Sequence, residues 1–280
     1  MKQVSDVSSL RRAVRELPGP VALVPTMGNL HEGHLTLVRR AREVADAVVV
    51  SIFVNPMQFD RKEDLEAYPR TLEEDKALLA AEGVDLVFTP AVEAIYPASM
   101  DVHTRVEVPG LSDIFCGASR PGHFVGVATI VCKLFNMVQP HCALFGKKDF
   151  QQLLIIRRMV RDLAMPVDII GVDTVREADG LAMSSRNNYL DEAQRARAPV
   201  LFAALKRTAE ALRQGRRDYA ALEADAIRMI AEGGLKPDYL GIRRTADLAE
   251  PGEDDTSLVI LGAAYLGLAR LIDNLEIELT

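Results

Sequence analysis

His31 and His34, three residues apart, stand in the stretch Pro25-Thr26-Met27-Gly28-Asn29-Leu30-His31-Glu32-Gly33-His34, with Gly28 and Gly33 beside them. The apolar run Val21-Ala22-Leu23-Val24 precedes this stretch, and a helical apolar pattern follows it. In such a strand-loop-helix unit the free N–H groups of the helix start favour an anion, and the glycines allow tight turns and close ligand approach. Helix ends contribute only about 0.3 to 1 kcal/mol when exposed, so holding a polyphosphate needs added hydrogen bonds, which imidazoles supply. A metal site is the rival reading, since His31, Glu32 and His34 are compact. HExxH spacing is absent and no third ligand is evident. A glycine-rich surface turn is the reading without chemistry.

Three further groups suit the same chemistry. Asn55 and Gln58 follow a valine-rich strand, where amides hydrogen-bond a polar substrate or simply build a turn around Pro56. Lys148 and Asp149, in the turn Gly146-Lys147-Lys148-Asp149, suit phosphate and ribose, with Gln152 one helical turn on. Ser184, Ser185 and Arg186 offer two hydroxyls and a forked cation, an arrangement for phosphates or for capping a helix.

The elements that must position these groups alternate. Helices are expected over 6–16, from 34 or 35 to 45, from Thr71 to about 82, over 123–138 and over 150–163; strands over 21–24, 47–54, 84–88, 142–145 and 167–172. Thr71 with Glu74 reads as a capping box. Residues 101–109 alternate like a surface strand or hairpin. Parallel β-α-β units bring the loop of His31, the Asn55–Gln58 segment and the Lys148 turn to the carboxyl edge of one sheet. Near Val175 the character changes, to two amphipathic helices at about 191–214 and 217–232 and strands near 238–243, 257–261 and 270–278. The expected architecture is α/β: a Rossmann-like parallel-sheet N-terminal domain, 1–175, and a smaller α+β lid domain, 176–280, able to close over the cleft.

Composition narrows the classes. The chain has 280 residues, 49% of them hydrophobic, and a net charge of -7, which supports a sizeable core and argues against a nucleic-acid scaffold. No apolar run is long enough for a membrane span, and none of signal-peptide type opens the chain. Cys116, Cys132 and Cys142 form no CxxC pair and fit reduced thiols, so a cytoplasmic protein is expected.

Taken together, residues 25–34, the segment Phe53-Val54-Asn55-Pro56-Met57-Gln58-Phe59, residues 146–152 and Met183-Ser184-Ser185-Arg186 closely resemble the pantoate-β-alanine ligase (pantothenate synthetase) family over essentially the whole chain. The HxGH element alone marks a broader nucleotidyltransferase superfamily. The resemblance implies that pantoate and β-alanine are joined through a pantoyl-adenylate, using ATP as substrate with Mg²⁺ as cofactor and releasing AMP and pyrophosphate. It implies an ATP site of Met27, Gly28, Asn29, Leu30, His31, Glu32, Gly33, His34, Gly146, Lys147, Lys148, Asp149, Val175 (through its backbone), Met183, Ser184, Ser185 and Arg186. His34, His31, Lys148, Ser184 and Arg186 would be catalytic, His34 as proton donor, and Gln58, Gln152 and Asn55 would bind substrate. No protein metal ligand is assigned; Glu74 and Asp75 would be outer-shell partners of Mg²⁺. A homodimer is implied too. Two positions depart from the family pattern: Lys147 stands where glutamate is frequent, and Val125 where arginine is frequent.

The physics agrees, because bringing a carboxylate to the α-phosphate sets two anions against each other. His31, His34, Lys148, Arg186 and Mg²⁺ would offset that, and one preorganised donor aimed at developing charge is worth about 2.7 to 4 kcal/mol. Two other readings stand: a nucleotidyltransferase acting on a phosphate ester, and a non-catalytic nucleotide-binding module.

Overall fold

The structure is a computed structural model and describes residues 1–59 and 65–279. By its internal contacts the chain divides into two units, one of Met1–Lys147 and Gln151–Asp173, the other of Lys148–Phe150 and Thr174–Thr280.

The first unit is built on a six-stranded sheet, ordered β1 (Lys2–Val4), β4 (Leu86–Phe88), β3 (Ala47–Ile52), β2 (Val21–Thr26), β5 (Cys142–Gly146), β6 (Asp168–Val172), with every pairing parallel. Val21 to Val24 are at most 5% exposed, as a continuous apolar run must be when helices cover both faces. On one face Ala22, Val24, Val48 and Val50 pack with Leu37, Val38 and Ala41 of α2 (Glu32–Val44) and Leu79 of α3 (Leu72–Ala81). The chain also forms α1 (Val7–Arg15), capped by Asp6, one of two residues, Ser5 and Asp6, that the sequence offers as its cap, and α4 (His123–Val138), ten of whose residues are buried. From β2 the chain runs outward through β3 to β4, then returns to β5 on the other side of β2. This reversal opens a crevice at the carboxyl ends of β2 and β5, where parallel sheets bind ligands.

Three expectations in this unit are corrected. Residues 101–109 form no strand: a 3-10 turn, Met100–Val102, leads into coil pinned to α4 by the Val106 N–H on Thr129 Oγ1 at 2.9 Å. An alternating segment needs a sheet edge, and the edge beside β4 is taken by β1, which is too short to show periodicity. Thr71 is the N-cap of α3 but makes no side-chain cap bond; its hydroxyl turns to Asp75 instead. Finally, α2 begins at Glu32, earlier than the apolar pattern suggests, because its first turn is polar.

In the second unit the antiparallel sheet β7 (Lys236–Arg244), β8 (Ser257–Leu266), β9 (Ala269–Glu278) packs its apolar residues against α7 (Val200–Arg213) and α8 (Tyr219–Glu232). The single helix expected over 191–214 is broken into α6 (Glu192–Arg197) and α7 at Ala198-Pro199, since proline supplies no N–H to the preceding turn. The helix α5 (Phe150–Asp162) starts in one unit and continues in the other.

Gln151 on α5 is 4% exposed and ties down the loop before α4: Nε2 donates to the Leu111 and Ile114 carbonyls at 2.8 and 2.7 Å, and Oε1 accepts from the Cys116 N–H at 3.2 Å. Gln151→Leu strands these three backbone groups, and urea denaturation is expected to show a loss of about 2 to 5 kcal/mol.

Candidate active site

The loop after β2 is held by one carboxylate. Asp75, 2% exposed, accepts from the Asn29 N–H at 2.9 Å and the Leu30 N–H at 2.8 Å, and takes the Thr71 hydroxyl at 3.2 Å. Gly28 (φ 82°) and Asn29 (φ 52°) turn the backbone so that these N–H groups point at it. A Cβ on Gly28 would lie 2.9 Å from Asp75 Oδ2 and 3.1 Å from Ile52 Cγ2, so the turn accepts only glycine. The carboxylate expected near Mg²⁺ is thus a buried anchor of the loop.

Beyond the anchor, His31 is the N-cap of α2 and His34 its third helical residue. His31 Nδ1 accepts from the Gly33 N–H at 3.1 Å, and His34 Nδ1 accepts from the His31 N–H at 3.3 Å, a capping box made of two imidazoles. Both bonds use the lone pair on Nδ1, so a neutral ring carries its proton on Nε2. The rings lie 4.2 Å apart, centroid to centroid. Two Nε2–H donors at a helix N-terminus make a site for phosphate oxygens. Gly33 lies within the first helical turn and makes no turn of its own. Glu32 is engaged by Arg39, which also holds Glu82.

Asn55 and Gln58 follow β3 at the same sheet edge, as the register Thr26↔Ile52 requires. Gln58 is 8% exposed, with Oε1 accepting from Asn55 Nδ2 at 3.0 Å and Nε2 donating to Met27 Sδ at 3.0 Å. Its backbone carbonyl accepts from His123 Nδ1 at 2.8 Å and Arg120 at 3.4 Å. Because Arg120 only donates to His123 Nε2, at 3.2 Å, the His123 proton sits on Nδ1. Asn55, 1% exposed, is wholly occupied by protein partners, so its part is to hold Gln58. The departure at 147 has a local account: Lys147 pairs with Asp173 at 2.8 Å across the ends of β5 and β6. Val125 is half-buried on α4, and nothing in the structure explains the loss of an arginine there. Gln152, in the first turn of α5, is half-buried.

In the second unit Val175 and Met183 are joined by the Met183 N–H on the Val175 carbonyl at 2.9 Å, and Arg176 bridges to Ala182. The chain turns back at Gly180 (φ 93°). Ser184 caps the 3-10 helix Ser185–Tyr189 by accepting from the Arg186 N–H at 3.3 Å, which leaves its own hydroxyl proton to donate. The capping and ligand readings of this serine are therefore compatible. Arg176 grips Asp273 with two bonds of 2.6 and 2.9 Å, donates to the Gly180 carbonyl at 3.1 Å and stacks 3.6 Å over Phe202. Burial pushes the Asp273 carboxyl up, against the pull of Arg176. Beside it Asn274 Nδ2 donates to the Lys148 carbonyl at 2.8 Å, fixing the backbone from which that lysine projects. Lys148, Ser184, Asn187 and Asp273 line one recess.

Sequence reasoning missed Asp75 as an anchor, Tyr96, Gln151 and the Arg176–Asp273 pair. Ninety-seven residues separate the last two, and no local spacing marks such a contact.

Comparison with known proteins adds a family. Residues 1–276 match the family model for pantoate-beta-alanine ligase. The chain is similar to the pantothenate synthetase of Thioalkalivibrio sulfidiphilus (62% identity, covering 92% of this chain and 91% of that one) and to that of Shewanella loihica (57%, 99% of each). Among solved structures it is similar to pantothenate synthetase from Thermus thermophilus, with TM-score 0.90, 48% identity and coverage of 99% and 100%. It is also similar to a pantoate-beta-alanine ligase from Francisella tularensis complexed with beta-gamma ATP and beta-alanine, with TM-score 0.83, 32% identity and coverage of 98% and 97%.

Two outcomes are expected from this geometry. Asp75→Ala should speed hydrogen exchange at the Asn29 and Leu30 amides by at least about tenfold while the β2 and β3 amides stay protected. Long-range ¹H–¹⁵N spectra above pH 8 should show His31 and His34 as Nε2–H tautomers; an Nδ1–H signal from either ring would contradict the capping geometry.

Proposed function

The chain belongs to the pantoate-β-alanine ligase family, and from that membership we propose how its residues carry out the ATP-dependent, AMP-forming condensation of (R)-pantoate with β-alanine to pantothenate. In the first step a pantoate carboxylate oxygen attacks the α-phosphorus and the bond to pyrophosphate breaks, giving pantoyl-adenylate. In the second the β-alanine amine attacks the acyl carbon, the amide forms, AMP leaves, and the amine gives up a proton. Both steps place negative charge on phosphate oxygens, and preorganised donors are the main source of acceleration.

The observation that best supports the assignment is the capping box at the start of α2, in which His31 and His34 both accept at Nδ1, so that each neutral ring carries its proton on Nε2. His34 is the proposed proton donor to the phosphate oxygens, and His31 the second donor. Met27 to His34 would line the nucleotide within the first unit, with Gly146 and Lys147 at the end of β5. In the second unit Lys148, Asp149, the Val175 backbone, Met183, Ser184, Ser185 and Arg186 are the proposed nucleotide contacts, with Lys148, Ser184 and Arg186 acting on the phosphates. Gln58 and Gln152 would bind pantoate, and Gln58 later β-alanine; Asn55 serves them as support.

Mg²⁺ is proposed to arrive on ATP, held by phosphate oxygens and water, where it would neutralise phosphate charge. The described residues contain no cluster of three or more His, Cys, Asp or Glu able to hold a metal, and Glu32 and Asp75, the carboxylates of this region, are engaged by Arg39 and by the loop amides. A cytoplasmic homodimer accompanies the family reading. Among the described residues no helix is long and apolar enough to cross a membrane.

With ATP, Mg²⁺ and both substrates, AMP and pantothenate are expected in equal amounts, and steady AMP release should require pantoate and β-alanine together. AMP release independent of either acid would reject the assignment. His34→Ala is expected to slow pyrophosphate release with pantoate about a hundredfold or more, read in single-turnover experiments.

A further inference from the structure

The amide of Gln58 has two chemically opposite ends, and which one faces outward is decided upstream by groups that cannot exchange roles. A backbone N–H only donates and a carbonyl only accepts. The Met57 N–H meets one end of the Asn55 amide at 3.3 Å, so that end is Oδ1; the Gly126 carbonyl meets the other at 3.1 Å, so that end is Nδ2. Gly126 brings its carbonyl this close because it has no side chain: a Cβ there would lie 2.5 Å from the Met57 carbonyl oxygen and 2.6 Å from the Gln58 nitrogen. The Tyr96 hydroxyl donates to Asn55 Oδ1 at 2.8 Å, and burial pushes this phenol up, keeping it a donor. The second Nδ2 proton of Asn55 then points at Gln58, which must answer with Oε1 at 3.0 Å. Gln58 Nε2 is left turned away, onto the Met27 thioether at 3.0 Å, a weak acceptor that an oxygen of higher charge displaces.

We propose that Gln58 meets its substrate only as a hydrogen-bond donor, and that Tyr96 and Asn55 are positioning residues that enforce this polarity. The partner atom is then a carboxylate or hydroxyl oxygen; an ammonium group is refused there, so β-alanine is received through its carboxylate or through its amine after loss of the proton. This rests on Gln58 belonging to the pantoate pocket. Tyr96, 41 residues from Asn55 in sequence, becomes a determinant of substrate affinity without touching substrate.

The test uses Gln58→Glu, which keeps the shape and the Asn55 contact but replaces the donor with a charged acceptor, and Tyr96→Phe, which removes one hydroxyl. The KM for pantoate is expected to rise at least about a hundredfold in the first and roughly tenfold in the second, with ATP affinity by calorimetry within about twofold of wild type. In ¹⁵N spectra of the wild type, pantoate should shift the Gln58 side-chain amide protons, a readout that does not depend on either variant folding. Wild-type pantoate KM in Gln58→Glu, or unmoved amide protons at saturating pantoate, overturns the proposal. If the wild type forms no pantothenate, the functional assignment fails instead, so the two failures are told apart.

Discussion

The buried carboxylate of Asp75 is the constraint on which the site of the first unit depends. A loop that turns through two left-handed residues, Gly28 and Asn29, leaves backbone N–H groups facing inward, where water cannot satisfy them. Supplying one carboxylate to two of them gives charge-assisted bonds of about 1.5 to 3 kcal/mol each in place of a desolvation cost of similar size. With the loop so fixed, the first turn of α2 starts at a defined place, and the imidazoles of His31 and His34 take up their capping positions. Loop, helix start and donor edges are thus one cooperative object.

The same logic recurs elsewhere. Gln58 is held at its carbonyl by His123 and Arg120 and at its side chain by Asn55. In the second unit Arg176, clamped between Asp273 and Phe202, braces the turn that leads to Ser184, while Asn274 pins the Lys148 backbone. In each case the residue expected to touch ligand is short of freedom because a buried polar partner has removed it. Such partners stabilise only when fully satisfied, which explains why Asn55 uses four bonds and Gln151 and Asp75 three each.

What was legible in the sequence follows from range. The apolar run at Val21 and the valines of β3 announced buried parallel strands, and the offset between them placed His31 and Gln58 at one sheet edge. Local motifs, the glycine-histidine loop and Ser184-Ser185-Arg186, were visible because their residues are neighbours. The supports were not: Asp75 lies 45 and 46 residues from the amides it binds, and it stands on a helix whose visible signature, Thr71 with Glu74, pointed to a capping box that does not form. Alternation at 101–109 misled because periodicity describes a segment's preference and says nothing of whether a sheet edge is open. Pro199 was visible, yet the amphipathic pattern on both sides of it hid the break between α6 and α7.

The imidazole capping box sets a demand on chemical substitution at these two positions. The helix start asks each side chain for a lone pair, and an incoming anion asks it for a proton. A neutral imidazole carries the two on different ring nitrogens, so a ring that caps through Nδ1 keeps its proton on Nε2. Serine or aspartate would answer the helix start but offer no ring N–H; lysine would offer protons and leave the helix start unanswered. The rings that close the helix start are the ones proposed to meet phosphate, so a substitution at either position changes the stability of α2 together with the proposed chemistry.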